Sequence, residues 1–418
     1  MKERMIGIDL CDTGTGIAFF DADSGSISND ALKTKHFPTA LCRDKKNECW
    51  YIGEDAYAHA LNGEGILTDK LLTFAEKDGV ATICGIRYEA NELLRIFLEE
   101  VISGYRDEAE NKTIAETVIC IPRISRKMTE ELKNDMEKIG TDRKHVHIIS
   151  RAESFIYYTA CQPRDVWNNR VGLFSLSDSD LVYYEMSTSG QNKKTVFAAQ
   201  EEKTEESFNL DILTSLSGMR LADKILVSCA DRLMKKKLFS SVLLTGKGFE
   251  KYDWAKDFMK YICNRRKVFQ DQDLFARGSC VRANEYRSDA KNKAFLCICD
   301  GRLDSSVSLT VEKGEKEFAF PVAGMGDSWV DSDCSLFLLP GNSSELIMEV
   351  APFDARRKKI VRIPLSFLPK RPVKTQKISF HAFFSDSRTM AVEVSDAGFG
   401  ELFPKTDACI RQEVQLWD

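Results

Sequence analysis

The sequence has no CxxC pair, no HExxH and no stretch approaching eighteen consecutive apolar residues. The first two absences remove the common zinc-site and zinc-hydrolase signatures, and the third removes a helical membrane span. Thirteen cysteines are scattered without a framework, and Cys120, Cys297 and Cys299 lie in apolar strand-like runs. That usage fits small buried hydrophobes in a reducing cytoplasm, which is the expected compartment. The five histidines (His36, His59, His145, His147 and His381) show neither triad nor ligand spacing. Excess positive charge is also missing, since the net charge is -5. The basic runs at residues 356–359 (RRKK) and at Lys370 and Arg371 therefore read as solvated turns, and nucleic acid is not an expected partner. The opening MKERMIGIDL is interrupted by Asp9, which excludes a secretory signal, and no membrane partner is expected.

What is present is a chain of 418 residues, 43% apolar and 29% charged, enough for two or three globular domains. Its organising stretch is MIGIDLCDTGTGIAFFD, from Met5 to Asp21. Two apolar runs flank a small-residue turn from Cys11 to Gly16, which predicts a β-hairpin. Backbone N–H groups in such a turn can cradle a phosphate, with Thr13 and Thr15 donating further hydrogen bonds. Asp9 at its lip is placed to hold the water shell of a magnesium ion. An ordinary surface hairpin is the other reading of the same residues.

Downstream, strands around Thr39 to Cys42 and Trp50 to Ile52 precede a short helix at Glu54 to Leu61, with Lys70 after a glycine-containing loop. YEANELLRIFLEEVISGY (88–105) has apolar residues at helical spacing, and TVICIP (117–122) is an apolar run stopped by proline, as in a central buried strand. Met128 to Ile139, His145 to Ile149 and Glu153 to Ala160 continue as helix, strand and helix. The alternation predicts mixed sheets with flanking helices.

These segments resemble, in order, those of the DnaK-type, seventy-kilodalton heat-shock chaperones within the actin-like ATPase superfamily. IGIDLCDTGTG is similar to the first phosphate loop. WYIGEDAYAHALNGEGILTDKLL resembles the segment carrying the catalytic lysine, here Lys70. TVICIPRISRKMTEELKNDMEKIG followed by HIISRAESFIYY resembles the strand, helix, strand and connecting helix of the first half. SVLLTGKGF resembles the adenosine motif. The resemblance implies a two-lobed actin-like nucleotide-binding domain over residues 1–293, with ATP or ADP and Mg2+ as cofactors. It assigns magnesium to Asp9, phosphates to Asp12, Thr13, Gly14 and Thr15, transition-state charge to Lys70, and the nucleoside to Gly246, Lys247 and Gly248. Cleft closure on ATP would then change the affinity of a second domain for its ligand.

Four departures point away from turnover. Cys11 replaces a phosphate-loop glycine, and Ser175, Ser177, Asp178 and Ser179 stand where the second phosphate loop has an acidic residue and a glycine run. Arg151 takes the place of an acidic residue, with Glu153 close by as its expected substitute. The polar stretch from Ser187 to Asn209 is far shorter than the subdomain that covers adenine in the family. The expectation is a weak ATPase or none, with a pseudo-ATPase scaffold or assembly module as the alternative. Residues 294–418 change to strands and turns only and predict an antiparallel β-sandwich resembling the family's substrate-binding domain without its helical lid. A peptide or protein partner is expected there.

Overall fold

A computed structural model describes residues 2–22, 27–28, 31–105, 112–178, 180–191, 194–202, 204, 206, 209–287, 295–314, 316–353, 358–373 and 375–416. Ser179, Arg356 and Arg357 therefore lie outside the described residues. The chain divides into two compact units, Met1–Phe295 and Leu296–Asp418.

The first unit opens with β1 (Lys2–Leu10), β2 (Thr15–Asp21) and β3 (Lys33–Phe37). A small lobe follows, made of β4 (Ala40–Asp44), β5 (Trp50–Ile52), α1 (Gly53–Leu61), β6 (Gly65–Asp69), α2 (Leu71–Glu76), β7 (Val80–Ile83) and β8 (Ile86–Glu89). The main chain of elements resumes with α3 (Ala90–Ser103), β9 (Lys112–Ile121), α4 (Arg126–Lys138), β10 (Val146–Ser150) and α5 (Arg151–Ala160). The same succession then repeats as β11 (Arg170–Leu176), β12 (Leu181–Gln191), β13 (Lys194–Glu202), α6 (Leu216–Met234), β14 (Phe239–Thr245), α7 (Lys256–Ile262), β15 (Lys267–Gln270) and α8 (Leu274–Arg287).

The strand order is β10-β9-β1-β2-β3 in one sheet and β15-β14-β11-β12-β13 in the other. In each half an antiparallel meander comes first, and its first strand then pairs in parallel with a strand that follows a helix. A duplicated three-strand meander with two helical crossovers, each half ending in a helix, is the actin-like ATPase fold. Burial explains the order. Met5, Ile8 and Leu10 of β1 and Val118 to Ile121 of β9 are fully buried, so these strands are central, whereas the lysine-bearing KTKHF of β3 is an edge. Helix α3 covers the first sheet with Leu93, Leu94, Phe97, Leu98, Val101 and Ile102, each contributing roughly 1.5–3 kcal/mol by burial.

Two elements have no counterpart in the sequence reading. Most of the polar stretch after Ser187 continues β12 and forms β13, a long hairpin held by the register Tyr183↔Glu202 to Gln191↔Lys194. The hairpin is anchored by buried Val196, Phe197 and Ala199 of β13 against Tyr184 and Met186 of β12, while Ser189 and Gly190 near its tip are exposed. Strand β3 likewise has no apolar run to announce it.

After β16 (Phe295–Ile298), the second unit contains β17 (Ser305–Lys313), β18 (Lys316–Ala323), β19 (Asp333–Leu338), β20 (Glu345–Pro352), β21 (Lys359–Pro364), β22 (Ile378–Phe384), β23 (Thr389–Asp396) and β24 (Cys409–Gln415). They form two antiparallel sheets, β18-β17-β20-β21 and β19-β22-β23-β24. Alternate residues are buried, as in Ile378, Phe380, Ala382 and Phe384 of β22 and Val307 and Leu309 of β17, so each sheet has one inward face and the unit is a β-sandwich. Arg371 corrects the reading of a solvated turn. Its guanidinium is buried and donates to both oxygens of Asp396 at 2.8 and 2.7 Å, while Thr406 and Gly398 donate to the same carboxylate.

Candidate functional site

The hairpin turn at Cys11 to Gly14 lies at the carboxyl end of β1, closed by Cys11 N–H donating to the Gly14 carbonyl at 3.3 Å. Asp9, one residue inside the strand, faces the start of α5. Arg151 Nε and Nη2 donate to its two carboxylate oxygens at 3.0 and 2.9 Å, and both side chains are largely buried. The guanidinium also lies 4.7 Å over the ring of Phe275 on α8. Burial works against its charge, but Asp9, then Cys11 and Tyr184, outweigh that and hold it protonated well above its ordinary range.

Magnesium at Asp9 is therefore corrected. A hard cation requires free carboxylate oxygen or its water shell, and both oxygens here already accept from a buried guanidinium. The donor set does not fit the ion. Glu153 does not substitute: it is fully buried and accepts from Arg282 Nε at 3.1 Å. Among the described residues, no group of three His, Cys, Asp or Glu side chains is arranged to hold a metal.

The remaining positions are held by contacts within their own chain. Asp12 accepts from Leu72 N–H at 3.0 Å and Thr73 N–H at 3.1 Å, capping α2, so the turn is clamped to the segment that begins at Lys70. Lys70 itself is exposed and left-handed (φ 52°) at the head of α2. Thr15 is buried and its hydroxyl is shared with Thr39 at 2.7 Å. Thr13 is exposed, 3.3 Å from the Cys11 thiol, and Gly14 is buried where a side chain would strike His36.

Across the crevice, the Gly246 to Gly248 bend packs on the end of β11. A methyl at Gly246 would strike the Leu176 carbonyl, and one at Gly248 the side chains of Leu176 and Leu210. The glycines are thus filled from within. Lys247 Nζ pairs with Asp178 Oδ1 at 2.9 Å. Tyr57 of α1 lies in the fields of Asp69, Asp178 and Lys247, which puts the small lobe opposite this pair. Burial raises its phenol, and Asp69 and Glu54 add to the shift.

Behind the crevice, α5 and α8 are held together by polar links that sequence reading missed. Tyr157 donates to Glu285 at 2.6 Å and Ser154 to the Phe275 carbonyl, Gly278 lets the helices meet at Ser154, and Tyr158 donates at 2.9 Å to Asp271 in the turn that precedes α8. His145 and His147 are also partnered. His145, in the turn just before β10, and His147 on the strand bond opposite oxygens of Glu116 at 2.8 and 3.0 Å. The alternation His-x-His beside a parallel strand was the signal for that cluster.

No curated protein matches the chain. Among solved structures, a non-polymerising mutant of MamK bound to AMPPNP is similar at 11% identity and a TM-score of 0.41, covering 68% of this chain and 99% of its own. Residues 302–416 match a domain of unknown function, DUF8552. Residues 26–300, well over half of the chain, match the C-terminal part of the family of unknown function DUF5716, and the chain belongs to that family.

Proposed function

We propose that this protein is a non-hydrolysing scaffold: an actin-like fold whose crevice is closed by internal pairs, carrying a β-sandwich that engages a protein or peptide partner. The observation that carries this reading is the two-bond pair between Arg151 and Asp9. Phosphoryl transfer depends on a metal and oriented groups around the phosphate, and here a fixed internal cation occupies the carboxylate that would organise them. Magnitudes support the choice. Breaking a buried ion pair costs about 3–5 kcal/mol, whereas a millimolar ligand supplies only about 4 kcal/mol in total. Displacing Arg151 would consume nearly all the binding energy of a weak metal site.

The chaperone activity implied by the sequence resemblance, and ATP-driven closure with it, are not part of this reading. The links between α5 and α8 support a fixed crossing instead. Phosphate release from ATP tests it, using the intact chain and the Asp9→Ala and Lys70→Ala variants. The expected result is one background rate for all three. A rate that falls in Lys70→Ala, an exposed position whose loss leaves the fold intact, would overturn the scaffold reading.

A further inference from the structure

The β-sandwich has four edge strands, β18, β21, β19 and β24. An edge presents unpaired N–H and C=O groups, and natural edges are blunted by charge, proline or bulges. Three of these are. Strand β18 (KEFAFPVA) contains Lys316, Glu317 and Pro321, with a register shift against β17. Strand β21 (KIVRIP) carries Lys359, Arg362 and Pro364, and β24 (CIRQEVQ) carries Arg411 and Glu413. Strand β19 (DCSLFL) is different: its one charge is Asp333 at the first position, already held by His381 at 2.9 Å.

The same strand is underpacked on both faces. Outward, Phe337 is 68% exposed and Leu339, just past the strand end, is 61% exposed. Inward, Leu336 and Leu338 are only half-buried, whereas their neighbours Ile378 and Phe380 on β22 are completely covered. Two leucines on the core side of a sheet that remain part-exposed mark a missing neighbouring strand.

We propose that this neighbour is β19 of a second copy, paired antiparallel about a two-fold axis through Leu336. The strand is self-complementary in that register. Residues of equal face must meet, so Leu336 faces Leu336, Phe337 faces Ser335 and Leu338 faces Cys334 of the second copy. Each Asp333 falls at an opposite end, against Leu339, so no like charges confront each other. The pairing covers both exposed apolar side chains and completes the inward leucines. An anionic lipid surface or an acidic peptide is less well matched, because β19 itself carries no cation and the one beside it, Lys377, already lies 4.2 Å over the Phe337 ring. The inference concerns the second unit alone and does not rest on the reading of the crevice.

A six-residue edge is smaller than a standard interface of about 1,600 Å², so the dimer is expected to be weak and concentration-dependent. Sedimentation velocity of the full chain, taken up to roughly 100 μM, reads it. The expected result is a mass that doubles with concentration, abolished in Phe337→Lys and retained in Ile360→Lys, a matched change on the β21 edge. Unchanged melting temperatures of both variants keep the comparison valid, because both positions are exposed in the monomer. A chain that stays monomeric throughout would overturn the proposal, as would a dimer that Phe337→Lys leaves intact. An edge that takes a different protein gives the first of these results.

Discussion

Arg151 and Asp9, 142 residues apart in the chain, meet through two parallel hydrogen bonds of 3.0 and 2.9 Å at the base of the crevice. The pair joins the end of the first strand to the start of the helix leaving the first lobe. It fixes the crevice floor with a charge that belongs to the protein.

Removing one partner therefore leaves a buried, unpaired charge. Arg151→Ala is expected to destabilise the first unit by about 3–5 kcal/mol in urea unfolding, and Asp9→Leu with Arg151→Met to recover most of it. A double variant no better than the single would show that the pair matters through geometry and not through charge.

Asp135, on the buried side of α4, has one carboxylate oxygen without a hydrogen-bond partner. Burial raises its carboxyl above the ordinary value against the pull of Lys138. A raised folded-state value means that ionisation costs stability at neutral pH, and that the cost disappears below the unfolded value of about 3.9. Asp135→Asn is expected to raise the melting temperature at pH 7 and to leave it unchanged near pH 3.

Asp396 predicts the opposite sign. Burial pushes its carboxyl up, but the bonds from Thr406, Gly398 and Arg371 reverse this and hold it below its ordinary value. Its contribution is present above the unfolded value and is lost as the pH falls through the folded one. Arg371→Met should cost about 2–4 kcal/mol at pH 7, with the gap from the parent closing in acid, as followed by denaturant unfolding at each pH.

Gly278 is the contact point of α5 and α8, where a methyl would overlap the Ser154 carbonyl. Gly278→Ala should cost about 1–3 kcal/mol by forcing the helices apart, whereas Gly104→Ala, in open space at the end of α3, should change little. Calorimetric melts of the two variants separate these outcomes.

Much of the fold was legible because burial leaves a period. The run TVICIP announced a central strand, and the spacing of Leu94, Phe97 and Val101 announced α3. Strands β3 and β24 were not legible, since edge strands bury little and carry no such period, and β13 was masked by the lysines and glutamates that flank its buried Val196, Phe197 and Ala199. The site was legible only in outline. Sequence order led to the expectation that Asp9, Lys70 and the glycine bend share one crevice, but ion-pair partners are chosen by three-dimensional proximity. Arg151 registered as a departure from a pattern, with Glu153 as its stand-in. The structure instead gives Glu153 to Arg282 and Arg151 to Asp9. A cation heading the helix that starts at the carboxyl end of the sheet, opposite an acid at the end of β1, was the available signal.

The central claim is that an arginine of the protein holds the place a metal would need, and thermal melting of the full chain against ATP with and without magnesium tests it most directly. Because any ligand that prefers the native state raises the melting temperature, the account predicts the same transition at millimolar ATP and magnesium as in buffer. A saturable rise that requires magnesium and is lost with EDTA would contradict it.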